Sequence, residues 1–254
     1  MSITGSGFVS VKANRCFLPD HVWHITHRCH KQDFLLKFAR DRRRWLHWLF
    51  EAKKRFGLCV LNYIVTSNHV HLLVRDRGDG EIARSMQLIA GRTGQEYNRR
   101  KGRKGAYWED RYHATAVDTE NYVARCLVYI DCNMVRAGMV VHPAQWAECG
   151  YVEVQNPPKR YGIIDFPVLM ELLGFSDLAQ LQSTRAQWVE EALQGDNQQR
   201  ESYWSETLAV GNQAFVETVK ARLGISARYR EVSPDGEVYG LNEPATPYSV
   251  HFGP

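Results

Sequence analysis

Two histidines separated by a single valine, His69 and His71, are the residues whose type and spacing first suggest chemistry. They lie in an apolar run that predicts a β-strand, and residues i and i+2 of a strand point to the same face. Two imidazoles on one face supply part of the ligand set of a divalent metal ion. An isolated pair of this kind is more often two surface histidines on an edge strand, so the metal hypothesis depends on the rest of the chain.

A predicted helix further along the chain, capped by Asp118 and ending at Gly138, carries a second group of polar side chains. Residues spaced by three or four positions share one side of a helix. The polar residues that share a side in this way are Arg125, Tyr129, Asn133 and Arg136. A phenol, an amide and two guanidiniums are therefore aligned, although a helical tyrosine is more often a surface or interface residue.

A third feature is a run of five basic residues in six, which follows Tyr97 and precedes the aromatic pair Tyr107 and Trp108. The five residues are Arg99, Arg100, Lys101, Arg103 and Lys104. Cations interleaved with aromatic rings are typical of surfaces that bind single-stranded nucleic acid. A second basic face, which includes Arg42 to Arg44, is equally compatible with phosphate contact and with a solvated helix surface.

The formal charge of +4 is unevenly distributed along the 254 residues. Residues 1–160 contain 26 Lys and Arg against 15 Asp and Glu, a net charge of +11, whereas residues 161–254 contain 6 against 13, a net charge of −7. The basic part is the candidate binder of a polyanion. We therefore predict a functional domain over residues 1–160, followed by an acidic, mainly helical extension over residues 161–254.

The cysteines and the termini indicate the cellular compartment. The six cysteines show no C-x-x-C pair and no spacing typical of small secreted domains, so we expect reduced thiols. They are Cys16, Cys29, Cys59, Cys126, Cys132 and Cys149. The N-terminus shows no secretion signal and no apolar run approaches the length of a membrane span, so we expect a cytoplasmic protein.

The hydrophobic pattern predicts four strands and two long helices before the helix of Tyr129. Strands are expected at 22–27, 58–65, from 69 onward and at 112–117, with helices at 34–56 and from 82 to the basic run. The order β-α-β-β-α-β with an added helix predicts an α+β, ferredoxin-like antiparallel sheet. The first strand carries a further histidine, His24. The extension predicts helices at 166–173, 178–193 and 213–223, then a turn at 234–236.

With these motifs in place, the chain resembles the single-tyrosine transposases of the HUH superfamily, and in particular the REP-associated tyrosine transposases. The matching motifs occupy residues 67–73, 108–112 and 129–138, and the resemblance covers roughly residues 20 to 155. The order and spacing of the three motifs make the match more specific than any one of them. Met134 departs from the pattern, because the family usually has proline there, and we expect only a slight change of helix geometry.

The resemblance implies that His69 and His71 hold Mg²⁺ or Mn²⁺, that Asn133 is the third protein ligand and that Tyr129 is the nucleophile. It also implies a single-stranded DNA endonuclease and strand transferase that acts on hairpins such as REP palindromes through a 5′-phosphotyrosine. Arg125 and Arg136 are expected to neutralise the phosphate. Trp108, Arg111 and the basic run are expected to contact DNA.

The family analogy and the sequence together bear on assembly and location. Mobile relatives exchange the tyrosine helix in a dimer, but here almost no linker separates the fourth strand from that helix, and a long extension follows it. We therefore predict a monomer whose Tyr129 faces its own histidines, and we expect a nucleoid-associated protein with no membrane partner.

Two other functions fit part of the pattern. Ferredoxin-like endoribonucleases that process hairpin RNA also combine His, Tyr and basic residues, but they need a 2′-hydroxyl and no metal. A non-catalytic nucleic-acid-binding protein would keep the fold and the basic surface, would bind equally well with EDTA and would form no covalent adduct.

Overall fold

The structure, a computed structural model, describes residues 17–119, 121–195 and 201–243. Cys16 and the rest of the N-terminal 16 residues lie outside these ranges. The strands of the described residues are β1 (Val22–Arg28), β2 (Cys59–Val65), β3 (His69–Arg75), β4 (His113–Val117), β5 (Ala209–Gly211), β6 (Glu231–Asp235) and β7 (Val238–Asn242).

The helices lie between these strands and follow the fourth. The longer ones are α1 (Ala39–Phe56), α2 (Glu81–Lys101), α3 (Tyr122–Asp131), α6 (Phe166–Leu173), α7 (Leu178–Gln194) and α9 (Gln213–Leu223). The shorter ones are α4 (Asn133–Arg136), α5 (Gly150–Gln155) and α8 (Tyr203–Glu206). Within the described ranges, no helix combines the length and the apolar character that a membrane crossing requires.

The first four strands form the antiparallel sheet that the sequence predicts. Their order is β2-β3-β1-β4, and β2 and β3 form the expected hairpin. Val70, Leu72 and Val74 are fully buried on one face of β3, as the alternation predicts, while α1 packs against β2 and α2. The element order β-α-β-β-α-β followed by α3 confirms the α+β, ferredoxin-like fold class.

The C-terminal region is mainly helical, as expected, but it also adds three strands that the hydrophobic pattern does not predict. β5 pairs in parallel with β4, and β7 and β6 follow, so that one seven-stranded sheet runs through both parts of the chain. Of the predicted turn at 234–236, only Gly236, at φ +62°, lies between β6 and β7, because Pro234 and Asp235 still pair with β7. The short β5 has too few residues to show an alternating pattern. The division of the chain near residue 160 remains a prediction.

Two predicted helix boundaries are wrong for identifiable reasons. The first helix begins at Ala39 rather than near residue 34, because Phe38 has an extended backbone, with φ −91° and ψ 140°. Asp118 is not the N-cap residue of the helix of Tyr129, because this helix begins at Tyr122 and Asn121 occupies the N-cap position. The Asp118 carboxylate instead accepts a hydrogen bond from the backbone N–H of Asn212, at 3.2 Å.

The predicted helix of Tyr129 is interrupted at Cys132, where the backbone has φ −79° and ψ 5°. Tyr129 therefore lies near the end of α3, whereas Asn133 is the first residue of α4. Gly138 ends this part of the chain in the left-handed region, with φ +65°, as the sequence predicts.

A buried ion pair attaches the end of α3 to the C-terminal region. The Arg185 guanidinium of α7 donates to both carboxylate oxygens of Asp131, at 2.8 and 2.7 Å, and the Asn62 amide donates to the same carboxylate, at 2.9 Å. Both charged side chains have 0% exposure. Because buried charges lose their hydration, each charge depends on its partner to offset the cost of burial.

We expect Arg185→Leu to lower the free energy of unfolding by about 3–5 kcal/mol, because the substitution leaves the Asp131 charge buried without its partner. Urea unfolding followed by circular dichroism measures the change. The control is Arg55→Leu, which breaks the exposed i,i+4 pair with Glu51 and should change the free energy of unfolding only slightly. Equal effects of the two substitutions would contradict the role of the buried pair.

Candidate functional site

The candidate site lies on one face of the sheet, beneath α3 and α8. Thr26 of β1 is directly opposite His71 of β3, and His24 is opposite Leu73. His24 and His71 are therefore diagonal neighbours on the same face. The His24 and His71 rings are stacked, with centroids 5.0 Å apart, and the His69 and His71 centroids are 4.9 Å apart.

A chain of hydrogen bonds fixes the orientation of His71. Nδ1 of His24 lies 2.7 Å from the carbonyl oxygen of Trp204, and Nε2 of His24 lies 2.8 Å from Nδ1 of His71. A carbonyl oxygen only accepts, so in neutral His24 the proton is on Nδ1 and Nε2 accepts from His71. Nε2 of His71 then carries a free lone pair, which the nitrogen needs in order to bind a metal ion.

Burial keeps both rings neutral. Desolvation lowers the pKa of His24 from 6.5 to about 3, and it lowers the pKa of His71 well below its ordinary value. The neighbouring His69 and His24 lower the pKa of His71 further. Neutral imidazole is the form that binds metal ions.

His69 is oriented by the turn before β3. Its Nδ1 lies 2.7 Å from Oδ1 of Asn68 and 3.0 Å from the hydroxyl oxygen of Thr66. Because Oδ1 of Asn68 only accepts, this contact assigns the proton of neutral His69 to Nδ1. Asn68, the polar residue before the histidine pair, is therefore part of the site's support.

Tyr129 and Asn133 both reach the histidine pair. The Tyr129 ring lies edge-on to His71, with centroids 6.0 Å apart, and Nδ2 of Asn133 lies 3.0 Å from Nε2 of His71. The Arg136 guanidinium carbon lies 4.1 Å from the centre of the Tyr129 ring, and its Nη2 donates to the Tyr129 carbonyl at 2.6 Å. Burial lowers the pKa of Arg136, but an arginine stays charged at neutral pH.

These groups open into a cavity of about 540 Å³. The lining residues that bear on chemistry are His69, His71, Tyr129, Asn133, Arg136, Arg111, Arg28, His113 and Glu109. The cavity combines a nucleophile, nitrogen ligands and three arginines, so it can accept a phosphate group.

The donor set fits a divalent cation. In the described residues, no group of three or more His, Cys, Asp or Glu side chains is arranged for metal binding, so the donors here are two imidazoles and an amide. Adjacent ligands of an octahedral ion held at ~2.1 Å are about 3 Å apart. This matches the 3.0 Å between Nε2 of His71 and the Asn133 amide, whose oxygen would face the ion after a rotation of the amide.

Several predicted DNA contacts lie away from this cavity. Arg125 pairs with Glu237 at 3.7 Å and lines a different cleft, between α3 and α7. The Trp108 ring stacks on His27, with centroids 4.0 Å apart, and its Nε1 donates to the carbonyl of Ala90 at 3.0 Å. One face of the Trp108 ring is thus already covered by protein.

The basic run lies near a second groove, of about 550 Å³, between α1 and α2. Arg99 and Arg100 line it together with Arg40, Arg43 and Arg44. Within this groove Arg100 pairs with Asp41, and Arg44 pairs with Glu96. Arg103 instead donates to the Ala106 carbonyl at 2.8 Å, while Lys101 and Lys104 are exposed.

Sequence reasoning singled out His24 without assigning it a role, and it missed the contribution of Trp204. Trp204 takes part through its backbone carbonyl, and no side-chain pattern can reveal such a contact. Arg28 and His113 were also missed. Arg28 lies two residues after Thr26, just beyond the predicted first strand, and so shares the face of His24 and Thr26, which is a usable signal; His113 lies on a different strand, opposite Thr26, and this pairing cannot be read from the local sequence.

Comparison with known proteins agrees with the motifs. Residues 18–133 match the family model described as "Transposase IS200 like". The match confirms the resemblance to the IS200-like transposases that the sequence motifs indicate. No curated protein matches the chain.

The described cysteines, Cys29, Cys59, Cys126, Cys132 and Cys149, are unpaired and buried.

Two solved structures are similar to this chain. One is a REP-associated tyrosine transposase bound to a REP hairpin, 17% identical with a TM-score of 0.48, covering 61% of this chain and 93% of that one. The other is a candidate transposase from Deinococcus radiodurans R1, also 17% identical, with a TM-score of 0.34, covering 47% of this chain and 95% of that one.

The pKa of His24 generates a prediction about stability. Between pH 6.5 and pH 3 the unfolded chain binds a proton on His24 that the folded protein excludes, so stability rises with pH in this window and falls on acidification. We expect His24→Gln to remove up to ~1.4 kcal/mol per pH unit from this slope. Urea unfolding between pH 5 and 7 measures it. An unchanged slope in His24→Gln would refute the assignment.

Proposed function

We propose that this protein is a metal-dependent single-stranded DNA endonuclease and strand transferase that acts through a 5′-phosphotyrosine. The observation that supports the proposal is that Tyr129, Asn133 and the histidine pair converge on one cavity within a single chain. Transposase activity in the broad sense is the property of the family to which residues 18–133 match.

In this proposal His69, His71 and Asn133 hold Mg²⁺ or Mn²⁺. A divalent cation at this position would polarise the scissile phosphate as a Lewis acid. Arg136, over the Tyr129 ring, adds a positive charge next to the nucleophile and the phosphate. Arg111 and Arg28, at the cavity wall, are placed to hold the flanking backbone.

The chemistry assigned to Tyr129 is in-line attack on phosphorus. A bond forms between the phenol oxygen and phosphorus, the bond from phosphorus to the 3′-oxygen breaks, and the phenolic proton reaches the departing 3′-oxygen through solvent. The phosphotyrosine keeps the energy of the broken bond. A second 3′-hydroxyl can therefore reverse the step and join strands without a nucleotide cofactor.

The substrate proposed is single-stranded DNA next to a hairpin, such as a REP palindrome. The exposed members of the basic run and the arginine-lined groove between α1 and α2 are candidates for the stem, because their charges suit phosphates. Arg125 is a weaker candidate, because it pairs with Glu237 in a neighbouring cleft. We propose that the protein is a monomer, because the Asp131–Arg185 pair attaches the tyrosine helix to its own chain. We also propose that it is cytoplasmic and nucleoid-associated.

We expect Tyr129→Phe to abolish the covalent adduct with a labelled DNA hairpin in Mn²⁺ while hairpin affinity changes less than about threefold, because only the nucleophilic oxygen is removed. Denaturing gel electrophoresis detects the adduct and fluorescence anisotropy measures binding. Tyr122→Phe, on the same helix, is the matched control and should form the adduct normally. An adduct with Tyr129→Phe would defeat the assignment.

The same assay distinguishes the proposed DNA nuclease from both alternatives. An endoribonuclease that uses a 2′-hydroxyl would leave an all-DNA hairpin intact, and its cleavage of RNA would continue in EDTA. A non-catalytic binding protein would form no adduct under any condition.

Replacing Arg99, Lys101 and Lys104 together by Gln should reduce the salt dependence of hairpin binding, by about 0.7–0.9 in the log–log slope for each phosphate that the variant no longer neutralises. Titrations at several salt concentrations measure the slope. The control replaces three cations of the C-terminal region, Lys220, Arg222 and Arg228, and should leave it unchanged. If the first set has no effect, the DNA lies elsewhere, and Arg40, Arg43 and Arg44 are the next candidates.

A further inference from the structure

Three side chains on the site's face of the sheet bind main-chain carbonyls of the C-terminal region. His24 bonds the carbonyl of Trp204 at 2.7 Å, while His113 and Thr115 both bond the carbonyl of Thr207, also at 2.7 Å. Thr115 is the direct cross-strand neighbour of His24, and His113 is that of Thr26. The segment of α8 and the residue after it therefore lies against the sheet beside the histidine pair.

The carbonyl of Trp204 is available to His24 because of where it lies in α8. This helix has only four residues, and the last four carbonyls of a helix have no partner within it. The position of the carbonyl is well determined, since the Trp204 side chain is fully buried and its Nε1 donates to Glu201 at 2.7 Å. The Trp204 ring also lies 5.9 Å from the Tyr129 ring, centre to centre.

We propose that His24 is a positioning residue: through its bond to the Trp204 carbonyl it holds His71 in the tautomer with the proton on Nδ1, so that Nε2 of His71 faces the site. The tautomer itself follows from the hydrogen bonds, whereas its use in metal binding rests on the function proposed above. The C-terminal region then prepares His71 for metal binding, although it contributes no metal ligand itself.

The tautomer of His71 depends on which atoms donate and which accept in these hydrogen bonds. A carbonyl accepts and cannot donate, so it sets the first bond, and a neutral imidazole with its proton on Nδ1 has only an acceptor left at Nε2. Each bond therefore determines the next, from Trp204 to His24 to His71. Without an acceptor at its Nδ1, the His71 ring could place its proton on Nε2, where it would block a ligand. Partners of this kind typically change metal affinity 10–100-fold when they are removed.

Two substitutions of His24 separate positioning from folding. The His24→Gln amide places an oxygen near the position of Nε2, where it can still accept from Nδ1 of His71. The shorter His24→Asn amide reaches only the position of Nδ1, so it can keep the bond to Trp204 while it loses the bond to His71. Both variants retain a polar group that can satisfy the buried carbonyl, and both are tested in the full chain.

The first measurement reads the tautomer directly, in protein without added metal. Long-range ¹H–¹⁵N correlation spectra of ¹⁵N-histidine-labelled protein distinguish a proton on Nδ1 from one on Nε2, and His71→Ala identifies the signals. We expect His71 to carry its proton on Nδ1 in the wild type and in His24→Gln, and to show the Nε2 form in His24→Asn. A proton on Nε2 in the wild type overturns the proposal, whatever the protein's activity.

The second measurement is Mn²⁺ affinity, by calorimetry and by the electron paramagnetic resonance of free Mn²⁺. We expect His24→Asn to weaken binding 10–100-fold and His24→Gln to weaken it less than about threefold. The control is Thr115→Val, which removes a neighbouring bond to the same C-terminal segment but does not contact His71, and should leave Mn²⁺ affinity unchanged.

The outcomes are distinguishable. If His24→Asn keeps both the Nδ1 tautomer and the wild-type affinity, His24 does not position His71. If Thr115→Val weakens Mn²⁺ binding as much as His24→Asn does, the effect is a general loosening of the C-terminal segment and the proposal fails. If the wild type has the expected tautomer and binds Mn²⁺ but forms no DNA adduct, positioning stands and the nuclease proposal fails.

Discussion

The ion pair between Asp131 and Arg185 is the interaction on which the placement of the tyrosine depends. It lies where α3 ends, two residues after Tyr129 and two before Asn133, and neither charge has any contact with solvent. Apolar packing alone would leave a helix free to rotate or slide by small amounts. A bidentate pair with a third bond from Asn62 accepts only one geometry, so the end of α3 has a fixed rotation relative to β2 and α7.

That geometry has a local cost that the structure accommodates. Oδ1 of Asn62 and Nη1 of Arg185 are buried with no hydrogen-bond partner among the described residues, and Gly150 leaves room for Asn62 because a Cβ there would lie 2.1 Å from its oxygen. Hydrophobic residues of similar volume are often at least as stabilising as a buried ion pair. We therefore interpret the pair as an interaction that fixes one arrangement of α3 rather than as a source of stability.

The parts of the fold that follow from the sequence are those with a strong local signal. The period-two alternation of β1 and β3 and the long amphipathic runs of α1, α2 and α7 predict the ferredoxin-like core and its helices, and three matching motifs indicate the family. What failed lacks a local signal: the break at Cys132, the three-residue β5 and the role of Asp118 all depend on residues far away in the chain. Arg125 lies one turn before Tyr129 on α3, as the helical spacing predicts, but its guanidinium pairs with Glu237, a distant partner that the spacing cannot indicate.

The continuous sheet also governs how the protein must be made. The outer edge of β4 is covered by β5, about 90 residues later in the chain, and the pairing is parallel, so neither a hairpin nor a short loop brings the strands together. During synthesis, the core can form while the edge of β4 and the face of His24 still await the C-terminal segment. Once the sheet is complete, its far edge is β6, which contains Pro234 and the charges of Glu231 and Asp235, features that discourage another strand from adding. The edge of β4 is thus open to pairing with another strand only until the C-terminal segment has been added.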